Sequence, residues 1–459
     1  MQPTGSDIGK AVSFNTIASW AAKIGHFAAA LMIFRLVDPA AYGEWRLILA
    51  AWALVQGWLA SAVSVINVEY IRTHAEGDQA GFDGKAAFAG YAKIVALVST
   101  LFAIGCLLAP EMVSRIVGAD DLFLIRLISA YFFLYIPRAI GAAWMPMAFA
   151  FGRSLIVTTV ETFSYVAGLL IFLVWQGQGV VGIAYAQILS TVFGVICIAY
   201  LFPDLRKAIP FHKTGAQIKA LFRIIRQHGK WAVATDALKD ALDAARYRWL
   251  SFAIGNEAVG LFGLAESLLG HVVSLVSAGA PIASMIPRFV KDRERLIGTM
   301  KRASRVGTAV SAGLFLFGWV FVPIFIPVLF PKYIPSLPLY LGISPVVLVS
   351  GFGLVINAVY PALRFQKPLF LMLSIRAILS LSILYLFIPI FGISTLAIEF
   401  LTGSLVFLGM RWMYLRGKLG EKLLLRDFLI PKKQDLLDIW TFVWNRVRGL
   451  KSNIYERIA

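Results

Sequence analysis

The chain has 459 residues, of which 59% are hydrophobic and only 15% charged, with a formal net charge of +18. Soluble domains carry about 25% charged residues, and a soluble chain of this length divides into several domains with polar surface to spare. The composition excludes that class. It also leaves nucleic acid without a basic soluble face to bind, because the positive charge lies in the connections between apolar stretches.

From about residue 11 those stretches follow one another almost without pause. Segments of the roughly 20 residues needed to cross a bilayer run at 11–34, 43–71, 86–109, 122–150, 153–175 and 179–202. A second set runs at 230–254, 257–286, 303–330, 338–361, 367–388 and 392–415. Backbone polar groups have no water to bond in hydrocarbon, so such segments form helices that bundle together. The expected fold is all-α and integral to the membrane, with about twelve transmembrane helices around a central cavity. Cys106 and Cys197 fall inside spans, have no disulfide or metal spacing, and read as small apolar packing residues. No cleavable signal peptide is expected, since the first apolar stretch lacks a small-residue cleavage site and leads straight into another span.

The basic residues set the orientation. Residues 203–230 hold Arg206, Lys207, Lys213, Lys219, Arg223, Arg226 and Lys230 against one acid, Asp204. Residues 287–305 add Arg288, Lys291, Arg293, Arg295, Lys301, Arg302 and Arg305, and the tail after Arg411 is basic too. With twelve spans and a cytoplasmic N-terminus, all three fall on the cytoplasmic side, as do the Arg72/Lys85 and Arg364/Lys367 connections. The opposite connections, Gln176–Gln178, Gly255–Glu257, the segment around Lys332 and Pro389–Gly392, are short and poor in base. This asymmetry is the positive-inside pattern, and it puts both termini in the cytoplasm.

The longest outer connection lies around Pro110–Asp121. That is too short for the external domain with which membrane enzymes hold donor and acceptor sugars. No metal-ligand spacing, Gly-Lys-Ser/Thr phosphate loop or Ser-His-Asp set can be assembled outside the spans. The expectation is a protein that is not an enzyme and needs no cofactor or metal.

The basic linker divides the spans six and six, giving N-terminal (1–202) and C-terminal (230–415) six-helix bundles. Between them lies the linker (203–229), and after them a cytoplasmic tail (416–459). A weak internal match supports duplication. The first hairpin reads Leu36-Val-Asp-Pro-Ala-Ala-Tyr-Gly43-Glu-Trp45, and the seventh reads Ala253-Ile-Gly-Asn-Glu-Ala-Val-Gly260-Leu-Phe262. At an offset of 217 they share Ala41/Ala258 and Gly43/Gly260 and set Trp45 on Phe262. An even number of spans per half makes the repeats parallel, and transporters built this way hold substrate between the halves and rock one against the other. Prolines within spans (Pro137, Pro146, Pro281, Pro323 and Pro345) either kink gating helices or are simply tolerated in membrane helices.

These residues resemble the bacterial polysaccharide flippases, relatives of the multidrug and toxic-compound extrusion transporters and the peptidoglycan-precursor flippase. Arg35-Leu-Val-Asp-Pro-Ala-Ala-Tyr-Gly43 is similar to the hairpin that follows that family's first span. Ile254-Gly-Asn-Glu-Ala-Val-Gly-Leu-Phe262 with Ala265 is similar to the hairpin after its seventh, and Pro287-Arg-Phe289 to the close of its eighth. The resemblance in span order covers about residues 10–415. Phe262 stands where the family usually has tyrosine, and Glu44-Trp45 where it has leucine-tyrosine. The resemblance implies a polyprenyl-diphosphate-linked oligosaccharide as cargo, flipped to the outer leaflet of a bacterial inner membrane for surface glycans such as O-antigen or exopolysaccharide. It also implies glycan polymerase and glycosyltransferases as partners, besides the lipid bilayer and the lipid-linked glycan.

Ionisable groups within spans cost about 3 kcal/mol each and are functional candidates by default. The seventh span is densest, with Asp236, Lys239, Asp240, Asp243, Arg246, Tyr247 and Arg248, all but the last within a third of the helix circumference. The first span has Ser19, Lys23 and His26 at helical spacing, and the offset of 217 lands these on Asp236, Asp240 and Asp243. Spans one and seven are therefore expected to face each other across the cavity. Arg46, Glu161, Glu266, His271, Arg376 and Glu399 are isolated charges that line a cavity, snorkel to an interface or form structural pairs such as Asp243–Arg246. Lys23, His26, Arg46, Asp236, Lys239, Asp240, Asp243, Arg246 and Arg376 are the substrate-contact candidates. The cations among them suit a diphosphate, arginine by a bidentate fork. Asp236, Asp240, Asp243 and Glu161 are candidates for a coupling cation, and the three aspartates equally for sugar hydroxyls.

A cation-coupled antiporter of small amphipathic molecules is the alternative within the same superfamily. It calls for an acidic, aromatic cavity rather than intramembrane Lys and Arg. A membrane-embedded polymerase or acyltransferase is the third reading, and it lacks a catalytic base in a long outer loop. After Pro431, Leu436, Leu437, Trp440, Val443, Trp444 and Val447 recur at helical spacing. That helix is too short to span, and it suits either the anionic cytoplasmic leaflet or a partner protein.

Overall fold

The computed structural model describes residues 22–76, 84–148, 150–203, 205, 214–279, 292–420 and 424–432, and every regular element among them is helical. The first helix, α1, covers 22–36. There follow α2 (Pro39–Glu76), α3 (Gly84–Leu108), the short α4 (Pro110–Val117), α5 (Leu122–Met147), α6 (Phe151–Gly168) and α7 (Gly179–Leu201). Within the basic linker lies α8 (Thr214–Ile224), which runs through a π-helical turn, Ile225–Gly229, into α9 (Lys230–Ala253). The remainder is α10 (Asn256–Gly279), α11 (Arg293–Leu329), α12 (Leu337–Ile343), α13 (Val346–Ala362), α14 (Gln366–Phe391), α15 (Thr395–Leu419) and α16 (Arg426–Leu429). Ser19, Pro281, Pro287–Phe289 and the helix expected after residue 432 lie outside the described residues.

The elements follow the hydropathy of the sequence closely. Among the described residues, eight helices are long and apolar enough to cross a bilayer, or nine if the bent pair Pro331–Ile343 and Val346–Ala362 is one span. That count takes Gln366–Leu419 as one stretch, although the turn Gly392–Ser394 divides it into α14 and α15. It omits α9, whose 24 residues hold seven Asp, Lys and Arg side chains. The bent pair turns by 56° at Ser344–Pro345, where proline lacks the N–H that would continue the ladder. Pro323 and Pro327 sit inside the continuous α11, so proline alone does not fix where a span breaks.

The chain forms two compact units, Met1–Gly263 with Leu329–Tyr333, and Leu264–Val328 with Ile334–Ala459. The division falls after the seventh span and not in the basic linker, because α9 packs along α2. In the first unit, α8 buries Leu221 and Ile224 against Phe88 and Tyr91 of α3 and Ile66 of α2. Trp52 of α2 lies 4.1 Å from Phe132 of α5, with Phe102 at 5.6 Å and Tyr135 edge-on at 5.2 Å. The turn at 331–333 closes on the first hairpin, where Lys332 Nζ meets Asp38 at 2.8 Å and the Tyr333 hydroxyl donates to the Val37 carbonyl at 3.2 Å.

The closest approach of a glycine to a neighbouring backbone in the first unit joins the two hairpins matched in the sequence. A Cβ at Gly43 would overlap the Asn256 carbonyl oxygen and stand 2.8 Å from its carbon. A Cβ at Gly260 would overlap the Pro39 carbonyl oxygen and stand 2.6 Å from its carbon. Pro39 and Asn256 are themselves 217 positions apart, so the contact is reciprocal, as across a two-fold axis. The space admits a hydrogen and no carbon, the geometry of helices held together by small residues in lipid and by Cα–H···O contacts. Trp45 and Phe262, equated by the same offset, are both buried, at 4% and 0% exposure.

The second unit is built around Phe352, Val355, Val359 and Tyr360 of α13, packed on α11 and α15. Its end is closed by α16, whose Phe428 is fully buried and lies 4.8 Å from Trp412. Lys301 of α11 donates to the Asp427 carboxylate at 2.9 Å, and this hydrogen bond and charge hold Asp427 below the usual carboxylate range.

Two predictions follow from this packing. Gly43→Ala and Gly260→Ala should each destabilise the protein by about 1–3 kcal/mol, the cost of overpacking where only backbone can yield. Gly353→Ala, with nothing within 4 Å of its Cβ, should be neutral or slightly stabilising in a melting assay of the purified protein. The Asp427 contribution is present at neutral pH and is lost as the pH falls through its lowered value, below the ordinary 3.8. Hydrogen exchange across 424–432, corrected for intrinsic rate, should therefore rise on acidification. Asp427→Asn should show the raised exchange already at neutral pH.

Candidate functional site

Spans five and six each carry a polar stripe at the i, i+3, i+4, i+7 spacing of one helix face. On α6 it is Thr158, Glu161, Thr162 and Tyr165, and on α7 it is Gln187, Ser190, Thr191 and Gly194. The two stripes confront each other across a cavity of about 310 Å³ inside the first unit, which Arg138 of α5 and His26 of α1 also line. Gly194 makes this possible, since a Cβ there would stand 2.9 Å from Glu161 Cδ and 2.7 Å from its Cγ. Gly25 plays the matching part on α1, bringing that helix onto Thr162 and so His26 to the cavity.

Arg138 and Glu161 form a bidentate pair, Nε to Oε1 at 2.9 Å and Nη2 to Oε2 at 3.1 Å. The glutamate side chain is 15% exposed and the arginine 37%. Three wall hydroxyls are already committed as donors to backbone carbonyls, each at 2.8 Å: Ser190 to Glu161, Thr191 to Gln187 and Thr162 to Thr158. Their lone pairs therefore face the cavity as acceptors. The wall thus offers acceptors, one amide, one imidazole and an internally neutralised ion pair. That suits a ligand rich in hydroxyl donors. Glu161, one of the four carboxylates named for a coupling cation, already holds an arginine. Among the described residues, no three His, Cys, Asp or Glu are grouped as a metal site.

Span seven packs along α2. The small residues Gly57 and Ser61, one turn apart on α2, admit the acids of α9. A Cβ at Gly57 would stand 2.6 Å from Asp240 Cγ, and Ser61 Oγ donates to Asp236 Oδ2. Towards the other end Arg46 of α2 donates to the Tyr247 hydroxyl, its guanidinium 5.0 Å from that ring. Arg46 is thus engaged inside the first unit and does not snorkel. Arg246 is 1% exposed and donates to Asp243 at 2.7 Å, the structural pair named in the sequence. Lys239 and Asp236 are exposed, and Asp240, Asp243 and Lys23 are half-buried. None of the span-seven acids lines the cavity that holds His26. Arg248 donates to the carbonyls of Arg115 and Ile116 at the end of α4, both at 3.1 Å.

In the second unit Arg376 and Glu399 come together about Gly403, with Arg376 Nε 3.6 Å and Glu399 Oε1 3.7 Å from the point a Cβ would take. Glu399 is fully buried. Arg411 stacks on Phe407 at 4.1 Å, and Arg376 approaches the same ring at 5.5 Å. Arg411 also donates to Asn357, and the Tyr360 hydroxyl donates to the Arg411 carbonyl at 2.9 Å. Each unit therefore contains an arginine–glutamate set between neighbouring helices.

Of the residues named in the sequence, Glu161 and His26 line this cavity and Arg376 lies in the second unit, whereas Arg138, Arg411 and both hydroxyl stripes were not named. Arg138 lies within a 26-residue apolar helix, and Arg411 reads as the first base of the tail. The stripes carry a signal that was there to find, four polar or glycine positions at one helical spacing in consecutive spans. Breaking the Arg138–Glu161 pair from either side leaves a charge in a poorly solvated site. Arg138→Met and Glu161→Gln should each lower the melting temperature. The double variant should recover part of the loss, with a coupling of about 1–3 kcal/mol in a double-mutant cycle.

No family model and no curated protein matches the sequence. Solved structures do. The inward-facing conformation of a multidrug resistance MATE family transporter of the MOP superfamily matches with a TM-score of 0.72 at 16% identity, over 87% of this chain and 94% of that one. The inward closed conformation of the lipid II flippase MurJ matches with a TM-score of 0.71 at 12% identity, over 95% and 93%. A MOP superfamily transporter from Pyrococcus furiosus, described by a reverse polarity of its binding pocket, matches at 0.62 and 17% identity, over 89% and 94%. The chain is a multi-pass membrane protein with the fold of the MOP superfamily transporters and flippases.

Proposed function

We propose that this protein flips a polyprenyl-diphosphate-linked oligosaccharide from the cytoplasmic to the outer leaflet of a bacterial inner membrane by alternating access. The observation that carries the reading is the cavity of the first unit. Its hydroxyl acceptors and bidentate Arg138–Glu161 pair suit sugar hydroxyls, and a carboxylate neutralised in place offers little to a cationic drug. Lys239, exposed on α9, and Lys23, half-buried on α1, are the cations assigned to the diphosphate, while the polyprenyl tail stays in lipid. The oligosaccharide fits a chain that acts between glycosyltransferases on the cytoplasmic side and a glycan polymerase outside.

A second reading, a cation-coupled multidrug antiporter, is favoured by a different observation. Trp52, Phe102, Tyr131, Phe132 and Tyr135 form a continuous aromatic group beside Arg138, the kind of surface that flat hydrophobic cations use. The fold serves both readings equally.

Proteoliposomes separate the two. A fluorescent polyprenyl-diphosphate oligosaccharide should cross the bilayer in the presence of the protein, and Arg138→Gln should slow it at least about tenfold, the cost of losing one charged hydrogen-bonding group. A protein that leaves the glycolipid in place, yet extrudes a lipophilic cation against a proton or sodium gradient, would be the antiporter.

A further inference from the structure

We propose that the outward face of α8 and the π-helical turn after it binds anionic phospholipid headgroups of the adjoining leaflet. The segment is held at two points. Lys93 of α3 donates to the Gln217 side chain, and Gly229 lies against Val65 of α2, where a Cβ would stand 2.5 Å from a Val65 methyl. Both anchors are in the halves of α2 and α3 that the 77–83 connection joins, so the segment crosses from one helix to the other at that end of the pair. Its inner face, Gln217, Leu221 and Ile224, is buried.

The outer face is Lys219, Phe222, Arg223 and Arg226, at the i, i+3, i+4, i+7 spacing of a single stripe, and all four are exposed. Phe222 is 51% exposed. Among the described residues the three cations have no hydrogen-bond or ion-pair partner, and no acid occurs between Leu205 and Thr235. A large ring flanked by unpaired cations, on a segment packed along the first half of α3 and against the last half of α2, has the chemistry of a headgroup-binding face. The ring enters the acyl edge while the cations meet phosphates. Each basic residue near an anionic surface contributes about fivefold to partition, and three together on the order of a hundredfold. This site is independent of which cargo the protein carries.

The test uses the full-length protein in detergent, given equal phosphatidylglycerol and phosphatidylcholine, with retained lipids identified by native mass spectrometry. The wild type should retain phosphatidylglycerol in preference, and the variant K219Q/R223Q/R226Q should lose most of that preference. Retention of phosphatidylcholine and the elution volume should not change. A preference equal to wild type in the variant overturns the proposal. So does loss of transport with the lipid preference intact, which would assign the face to an acidic protein partner. Salt supplies a check that needs no variant: at about 0.5 M, where the Debye length is only about 4 Å, the wild-type preference should collapse, and its persistence overturns the proposal.

Discussion

The reciprocal crossing of Gly43 and Gly260 is the contact on which the rest of the first unit depends. In lipid, helices gain nothing by hiding apolar side chains from one another, so close approach of backbones must supply the attraction. Two glycines at equivalent hairpins let α2 and the start of α10 touch carbonyl against Cα, with no side chain between. That fixes where α10 begins and so where the helix before it ends. α9 is then laid back along α2, and its acids meet Gly57 and Ser61 while Tyr247 meets Arg46. Where the polar face of span seven packs thus follows from a contact set about one turn into each of the two helices.

The fold was largely legible in the sequence because lipid enforces one rule, that every apolar stretch of spanning length becomes a helix. The ends of α3, α7 and α14 fall within a few residues of the apolar stretches that announce them. The hairpin match was legible too: two shared residues at one offset marked a symmetric contact. What periodicity could not tell was which helix would receive the charges of α9. The offset sets Asp240 and Asp243 at the positions equivalent to Lys23 and His26, and equivalence does not say which neighbour a residue packs on. Gly57 and Ser61 carry no charge and drew no attention, yet their smallness decides the pairing.

The cavity of the first unit was hidden for a related reason. Serine and threonine barely lower the hydropathy of a span, because each hydroxyl can satisfy itself on the carbonyl one turn back, as Thr162 and Thr191 do. Such residues cost little in lipid and still leave acceptors facing inward. Arg138 is tolerated in an apolar helix only because Glu161 forks it and Tyr135 lies beneath it, with the guanidinium 6.0 Å from the ring. An ion pair of that geometry neutralises both partners and leaves the site polar without net charge. On the flippase proposal such a site would select by hydrogen-bond donors, which sugars have and lipophilic cations lack.

Equilibrium binding to the purified protein tests that claim most directly, comparing a polyprenyl-diphosphate oligosaccharide with the same polyprenyl diphosphate lacking sugars. The proposal predicts that the sugar-bearing lipid binds at least about tenfold tighter, one tenfold step being about 1.4 kcal/mol, and that Arg138→Gln erases the difference. Equal affinity for the two lipids, with a lipophilic cation displacing both, would contradict it.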